Sequence, residues 1–216
     1  VINAVNFVDG LDGLATGVVG ISAAAFFVFS YLLAVVNGFN RAGAPSLVTA
    51  VILGICLGFL PHNYHPARIF MGDSGAMLLG LLLSAAAITL TGQIDINAIT
   101  GSKTTTLLPL LLPFAVLAIP LLDLVLAVIR RVRAGRSPFE ADSEHLHHKL
   151  LSMGLSHRRT AAILYSWTAA LAIPAVVAAF APLWISFLIG IVILAISLYL
   201  LKDNHPWRER EKELIS

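Results

Sequence analysis

The sequence predicts an all-α protein, a polytopic bundle of transmembrane helices, and three observations lead there. The 216 residues are 58% hydrophobic and only 12% charged, whereas a soluble domain carries about 25% charged residues. Mean hydropathy is +0.88. The few charges are clustered, and Lys and Arg gather on alternate connections between the apolar runs. A lipid bilayer is therefore the first partner to expect. A net charge of +2 is too small to suggest nucleic-acid binding. The single cysteine, Cys56, lies inside an apolar run, excludes an intrachain disulfide and reads as packing.

A bilayer-crossing helix needs about 20 mostly apolar residues, with a working range of about 17–25. Six stretches meet or approach that: 14–36, 46–62, 74–90, 107–129, 160–180 and 183–201. Residues 1–8 read as the end of a further helix, and 1–216 as a single transmembrane domain. The second and third spans are short, and the fourth carries Pro109, Pro113 and Pro120. Such prolines interrupt a membrane helix and are tolerated where neighbouring helices satisfy the freed backbone groups. The chain starts at Val1 with no basic segment ahead of its apolar residues, so no signal peptide is expected and the sequence reads as part of a longer polypeptide.

Alternating the six spans places 1–13, 62–73, 130–159 and 202–216 on one side, with 12 of the 14 Lys and Arg. Arg41 and Lys103 fall on the other. Positively charged loops stay in the cytoplasm. The first side is expected to be cytoplasmic, and every polar cluster of chemical interest falls on it.

The first cluster is Asn3-Ala-Val-Asn6-Phe-Val-Asp9-Gly-Leu-Asp12-Gly13. Two Asp-Gly pairs make a glycine-broken turn carrying carboxylates at a helix end, and hard cations such as Mg²⁺ favour such oxygen ligands together with substrate phosphates. Ordinary Asp-Gly turns at a membrane boundary would look similar, but the whole string favours chemistry. The second is Asn63-Tyr-His65-Pro66-Ala-Arg68-Ile-Phe70-Met-Gly72-Asp73-Ser74-Gly75. Asp73 and Ser74 stand ahead of an apolar helix, where exposed amides attract phosphate and a carboxylate can hold the bridging metal. Either residue could also serve as a helix cap.

The third cluster lies in the 130–159 loop: Asp142-Ser-Glu144-His145-Leu-His147-His148-Lys149, followed by His157-Arg158-Arg159. His145, His147, His148, Arg158 and Arg159 are candidates to bind anionic phosphate. A zinc or nickel site on HxHH is disfavoured for want of a third well-spaced ligand. Asp123 sits within a span, and an intramembrane carboxylate needs a partner or a cavity; Arg130 or Arg131, two helical turns on, is the partner expected.

Three motifs in this order, NAVNFVDGLDGLA, HPARIFMGDSG and HLHH, resemble those of the polyprenyl-phosphate N-acetylhexosamine-1-phosphate transferases, and the match covers nearly the whole chain. The resemblance implies that Asn6 and Asp73 bind Mg²⁺, with Mn²⁺ as a substitute. It implies that Asp9 and Asp12 are active-site carboxylates, Asp12 near the nucleobase, and that Asn63 and Phe70 contact or stack on uracil. His145, His147 and His148 would lie near the diphosphate. HLHH, unlike three consecutive histidines, points to the branch that takes UDP-GlcNAc as donor and polyprenyl phosphate as acceptor. The runner-up is another UDP-N-acetylhexosamine, including UDP-MurNAc-pentapeptide. A bacterial cytoplasmic membrane is the implied location, and a homodimer is compatible with it. The family's adjacent aspartate pair does not occur here; with roughly four helices it is expected upstream, so the 216 residues alone are not expected to turn over. A transporter, with broken helices and charge at the midplane, fits less well because the polar motifs collect at one face.

Overall fold

A computed structural model describes residues 1–36, 42–93, 112–137 and 145–202. These are helical throughout, with short connections: α1 (Ile2–Val8), α2 (Leu14–Val36), α3 (Gly43–Asn63), α4 (Gly72–Gln93), α5 (Ala118–Arg133), α6 (Leu146–Ser152), α7 (His157–Phe180) and α8 (Leu183–Lys202). Among the described residues five helices are long and apolar enough to cross a membrane, α2, α3, α4, α7 and α8, and the chain is a multi-pass membrane protein. The expected span 107–129 begins outside the described residues, as do most of the connections 37–45 and 91–106, part of the 130–159 loop and nearly all of the tail.

α3 and α4 are longer than their apolar runs at both ends, and at the 64–71 connection they take in Asn63 and Asp73. α4 starts at Gly72, whose φ of +66° suits glycine, and carries Asp73 in its first turn, where the helix dipole favours an anion. α7 starts at His157, three residues before its apolar run, because the Ser156 side chain accepts the Arg159 N–H at 3.4 Å.

The fourth span breaks where its prolines require it. Residues 112–116 are helical, Leu117 is a turn, and α5 begins at Ala118. Pro120 falls in the first turn of α5, where a missing N–H costs little. It cannot donate to the Val116 carbonyl one turn back; instead the Ser22 hydroxyl, on α2, donates to that carbonyl at 3.0 Å.

α2 is the centre of the bundle, touching α3, α4 and α7, while α8 packs on α7. Of their apolar windows 56% and 11% respectively are buried, so α8 leaves most of its surface for lipid. One apolar cluster, including Phe26, Phe29, Ile52, Leu83 and Leu112, fills the middle. A second, including Val8, Leu14, Val18, Ile119, Ile163 and Leu164, lies directly under the polar end. Gly190 lets α8 approach Pro174 of α7 closely, and the Ser186 hydroxyl takes the Pro174 carbonyl at 2.6 Å.

Candidate active site

The glycine turn between α1 and α2 is the point where all three sequence motifs meet. Gly13 has a φ of +74°, a left-handed conformation that costs a side-chain-bearing residue energy. Its carbonyl accepts the Tyr165 hydroxyl of α7 at 2.6 Å. A Cβ at Gly17, one turn into α2, would collide with the same tyrosine ring. Tyr165 thus braces the turn from a helix more than a hundred residues away, and no sequence signal marks it.

Asp12 is tied to the second motif. Its Oδ2 is 2.8 Å from His65 Nδ1 and accepts the Ala67 N–H at 3.1 Å. Partial desolvation pushes its pKa up, but the His65 and Ala67 hydrogen bonds and the charges of His65 and His157 outweigh this and hold it below the usual carboxylate value. Next to it, the Thr16 hydroxyl donates to Asn63 Oδ1 at 2.7 Å, and Asn63 Nδ2 donates to the Ile69 carbonyl at 3.0 Å. Asn63 is buried. Its amide therefore secures the 64–71 connection that presents Phe70, 75% exposed. An aromatic ring so exposed is suited to stacking on a planar ligand.

Asp9 has a different environment. α1 and α4 run antiparallel in close contact: a Cβ at Gly80 would come within 3.0 Å of the Ile2 backbone. Seven residues from that crossing, about 10 Å along each helix, stand Asp9 and Asp73. Burial first, and then the charge of Asp73, raises Asp9 from 3.8 to about 6. Asp73 itself is exposed. One turn before Asp9 along α1, the Asn6 amide oxygen is buried without a hydrogen-bond partner. An orphaned acceptor beside two carboxylates that repel each other fits a hard divalent cation, which is content with few protein oxygens and takes the rest from water and phosphate. Among the described residues no group of three or more His, Cys, Asp or Glu could hold a metal. The donor set here is one amide oxygen and two carboxylates, which suits Mg²⁺ better than zinc.

The histidine motif approaches from the other side, on a short helix within the 130–159 connection. His145 is the N-cap of α6, stacked on Phe7 at 5.4 Å and 27°, with the Arg131 guanidinium also over the Phe7 ring. His147 is nearly parallel to His145 at 5.8 Å, and His148 follows at 4.2 Å. His147 is buried against Gly10: a Cβ there would meet its Cε1 at 2.6 Å. Burial, chiefly, and the neighbouring histidines, against the opposing pull of Asp123, push His147 down to about 4. It is neutral near pH 7 and adds no positive charge to a bound phosphate; of the three histidines, His148 is the exposed one.

Asp123 corrects an expectation. Its Oδ2 lies 2.9 Å from His145 Nδ1 and its Oδ1 accepts the Leu146 N–H at 2.9 Å. The carboxylate therefore pairs with the histidine motif 22 residues on, not with Arg130 or Arg131. Local helical spacing suggested the arginines; the close packing of α1 on α5 and the return of the chain at α6 decided otherwise.

At the start of α7, His157 stacks on His65 at 4.7 Å and 7°, and Arg158 donates from Nε to the His65 carbonyl at 3.1 Å. Both side chains are exposed. With Arg159 they put three basic residues in the first turn of a helix, where the dipole disfavours cations and an anion would relieve the conflict.

Residues 1–91 match the family described as Glycosyl transferase family 4. The chain is 52% identical over 169 residues to a decaprenyl-phosphate N-acetylglucosaminephosphotransferase of Mycobacterium leprae, covering 77% of this chain and 42% of that protein. It is 36% identical over 199 residues to a probable undecaprenyl-phosphate N-acetylglucosaminyl 1-phosphate transferase of Bacillus subtilis, covering 89% of this chain and 49% of the relative. A phospho-N-acetylmuramoyl-pentapeptide-transferase of Desulforudis audaxviator is 36% identical over 169 residues, 78% of this chain and 43% of its own. The chain spans less than half the length of these curated relatives.

Proposed function

We propose that the chain is part of a glycosyl transferase family 4 enzyme, the family its residues 1–91 match, and that the whole protein transfers N-acetylglucosamine 1-phosphate from UDP-GlcNAc to a polyprenyl phosphate. An oxygen of the lipid phosphate attacks the sugar-bearing phosphorus, the bond to the UMP oxygen breaks, and polyprenyl-diphosphate-GlcNAc forms. The observation that carries this reading is the meeting of three distant motifs at residues 9–13. One side of that turn is locked by hydrogen bonds, while the other leaves Asp9, Asp73 and the unpartnered Asn6 oxygen close together. The 52% identity to a relative named for this donor and a decaprenyl phosphate supports the choice of substrates.

Two polyanions must meet, so charge neutralisation and alignment dominate catalysis. Asn6 and Asp73, with Asp9 near them, would hold Mg²⁺, which would supply positive charge for the donor's diphosphate and the departing UMP. Phe70 offers its exposed ring to the uracil, and the 64–71 connection secured by Asn63 and Asp12 positions it. His148, Arg158 and Arg159 supply donors and positive charge to the phosphates. A phosphate monoester is largely ionised near neutral pH, so the acceptor needs no strong base. The excess of Lys and Arg on its connections supports a cytoplasmic orientation for this end of the bundle, where the lipid's phosphate would meet a water-soluble donor.

The test uses the full-length gene product in detergent. UMP release should require UDP-GlcNAc, polyprenyl phosphate and Mg²⁺ together, and Asp73→Asn should abolish it, a loss on the order of 10²–10⁴-fold. Activity surviving that substitution sinks the metal assignment. A preference for UDP-MurNAc-pentapeptide over UDP-GlcNAc sinks the donor assignment while leaving the chemistry intact.

A further inference from the structure

Asp123 is 2% exposed, and a carboxylate that deep in an apolar bundle is costly unless it is well partnered. Capping α6 does not require it, because a neutral Asn or Ser caps a helix as well. The charged group adds something a neutral cap lacks. A carboxylate only accepts hydrogen bonds, so at 2.9 Å from Asp123 Oδ2 the His145 ring carries its proton on Nδ1. That leaves Nε2 with its lone pair, to accept a proton or, once protonated, to donate to a phosphate oxygen. The ring plane is set at the same time by Phe7, stacked at 27°. From His145 the rings continue through buried His147 to exposed His148.

We propose that Asp123 is a positioning residue for the transfer reaction: through His145 it selects the imidazole tautomer and fixes the row of rings that ends at His148. The inference rests on the transferase reading above. Asp123→Asn separates the two things the carboxylate does. The amide oxygen can still accept the Leu146 N–H and cap α6, but the amide nitrogen, a donor, then faces Nδ1 and forces the proton to Nε2.

The experiment compares full-length wild type, Asp123→Asn, His145→Gln and the double variant in detergent, following UMP release and Tm. Asp123→Asn is expected to lower kcat on the order of 10–100-fold, with KM for the donor and Tm near wild type. In the His145→Gln background it should cause no further loss, because a residue acting through His145 has nothing left to position. Wild-type kcat in Asp123→Asn overturns the proposal. So do losses that multiply in the double variant, and so does a fall in kcat that merely follows a fall in Tm. If Asp123→Asn does not fold, Asp123→Ser, which keeps a capping oxygen, takes its place, and wild-type kcat there is equally fatal. Absence of UMP release from the wild type instead defeats the transferase reading, and this inference falls with it.

Discussion

Asp9 and Asp12 lie three residues apart in one turn, yet the bundle treats them in opposite ways. Asp12 accepts hydrogen bonds from His65 and the Ala67 amide and is held below the ordinary carboxylate range. Asp9 is half-buried beside another negative charge and is pushed up to about 6. A satisfied carboxylate strengthens the fold, while an unsatisfied one stores a cost that a ligand can relieve. The Asp12 side of the turn thus acts as scaffold and the Asp9 side as the place where a cation and phosphates would bind.

Removing each charge in turn gives the largest and clearest contrast. Asp9→Asn should cut UMP release on the order of 10²–10⁴-fold while raising Tm near pH 7.5. Its folded pKa exceeds the unfolded 3.8, so its contribution to stability becomes less favourable as pH rises from about 4 through about 6, and the amide removes that cost. Asp12→Asn should do the reverse, lowering Tm by an amount equivalent to about 1–2 kcal/mol with a smaller effect on rate. Its folded pKa is depressed, so the stability it contributes is present above 3.8 and is lost as pH falls through the folded value. Tm shifts of the same sign in the two variants would collapse the distinction.

Cation binding should show the same asymmetry. Because Asp9 is raised to about 6, protons there would compete with a cation bound beside it. Calorimetry on the full-length protein should find Mg²⁺ affinity falling as pH is lowered through about 6, with proton release on binding. Affinity independent of pH in that range would separate Asp9 from the cation site.

A smaller effect on rate is expected at Gly10, which lies between the two sides. A Cβ there runs into His147, so Gly10→Ala should cost about 1–3 kcal/mol and displace the histidine helix, reducing rate as well as Tm. Gly54→Ala, inside α3 where nothing stands within 4 Å, is the control: it should leave the rate unchanged and Tm unchanged or slightly raised.

Much of this was legible in the chain. The apolar runs marked the membrane helices, and the polar strings marked the end of the bundle where chemistry would collect. The break at Leu117 followed from Pro120, though not the Ser22 hydroxyl that serves the orphaned carbonyl. Stacking by Phe70 was an expectation of the resemblance alone, and the structure adds that its ring is exposed. That Asn63 would be consumed in holding the connection beneath it was not legible, because its Thr16 partner lies 47 residues away.

By itself the sequence determined what is additive along the chain. Transfer of apolar side chains into lipid sums over a window of residues, proline breaks a helix wherever it falls, and clustered charges choose a side of the membrane. Tertiary structure alone decided which of two like carboxylates is satisfied, that His147 is buried and kept neutral, and that Asp123 answers to His145 and not to an arginine. Those properties belong to the space between helices. Burial and charge there come from residues tens of positions apart, and only the packing of α1 against α4 and α5 brings them together.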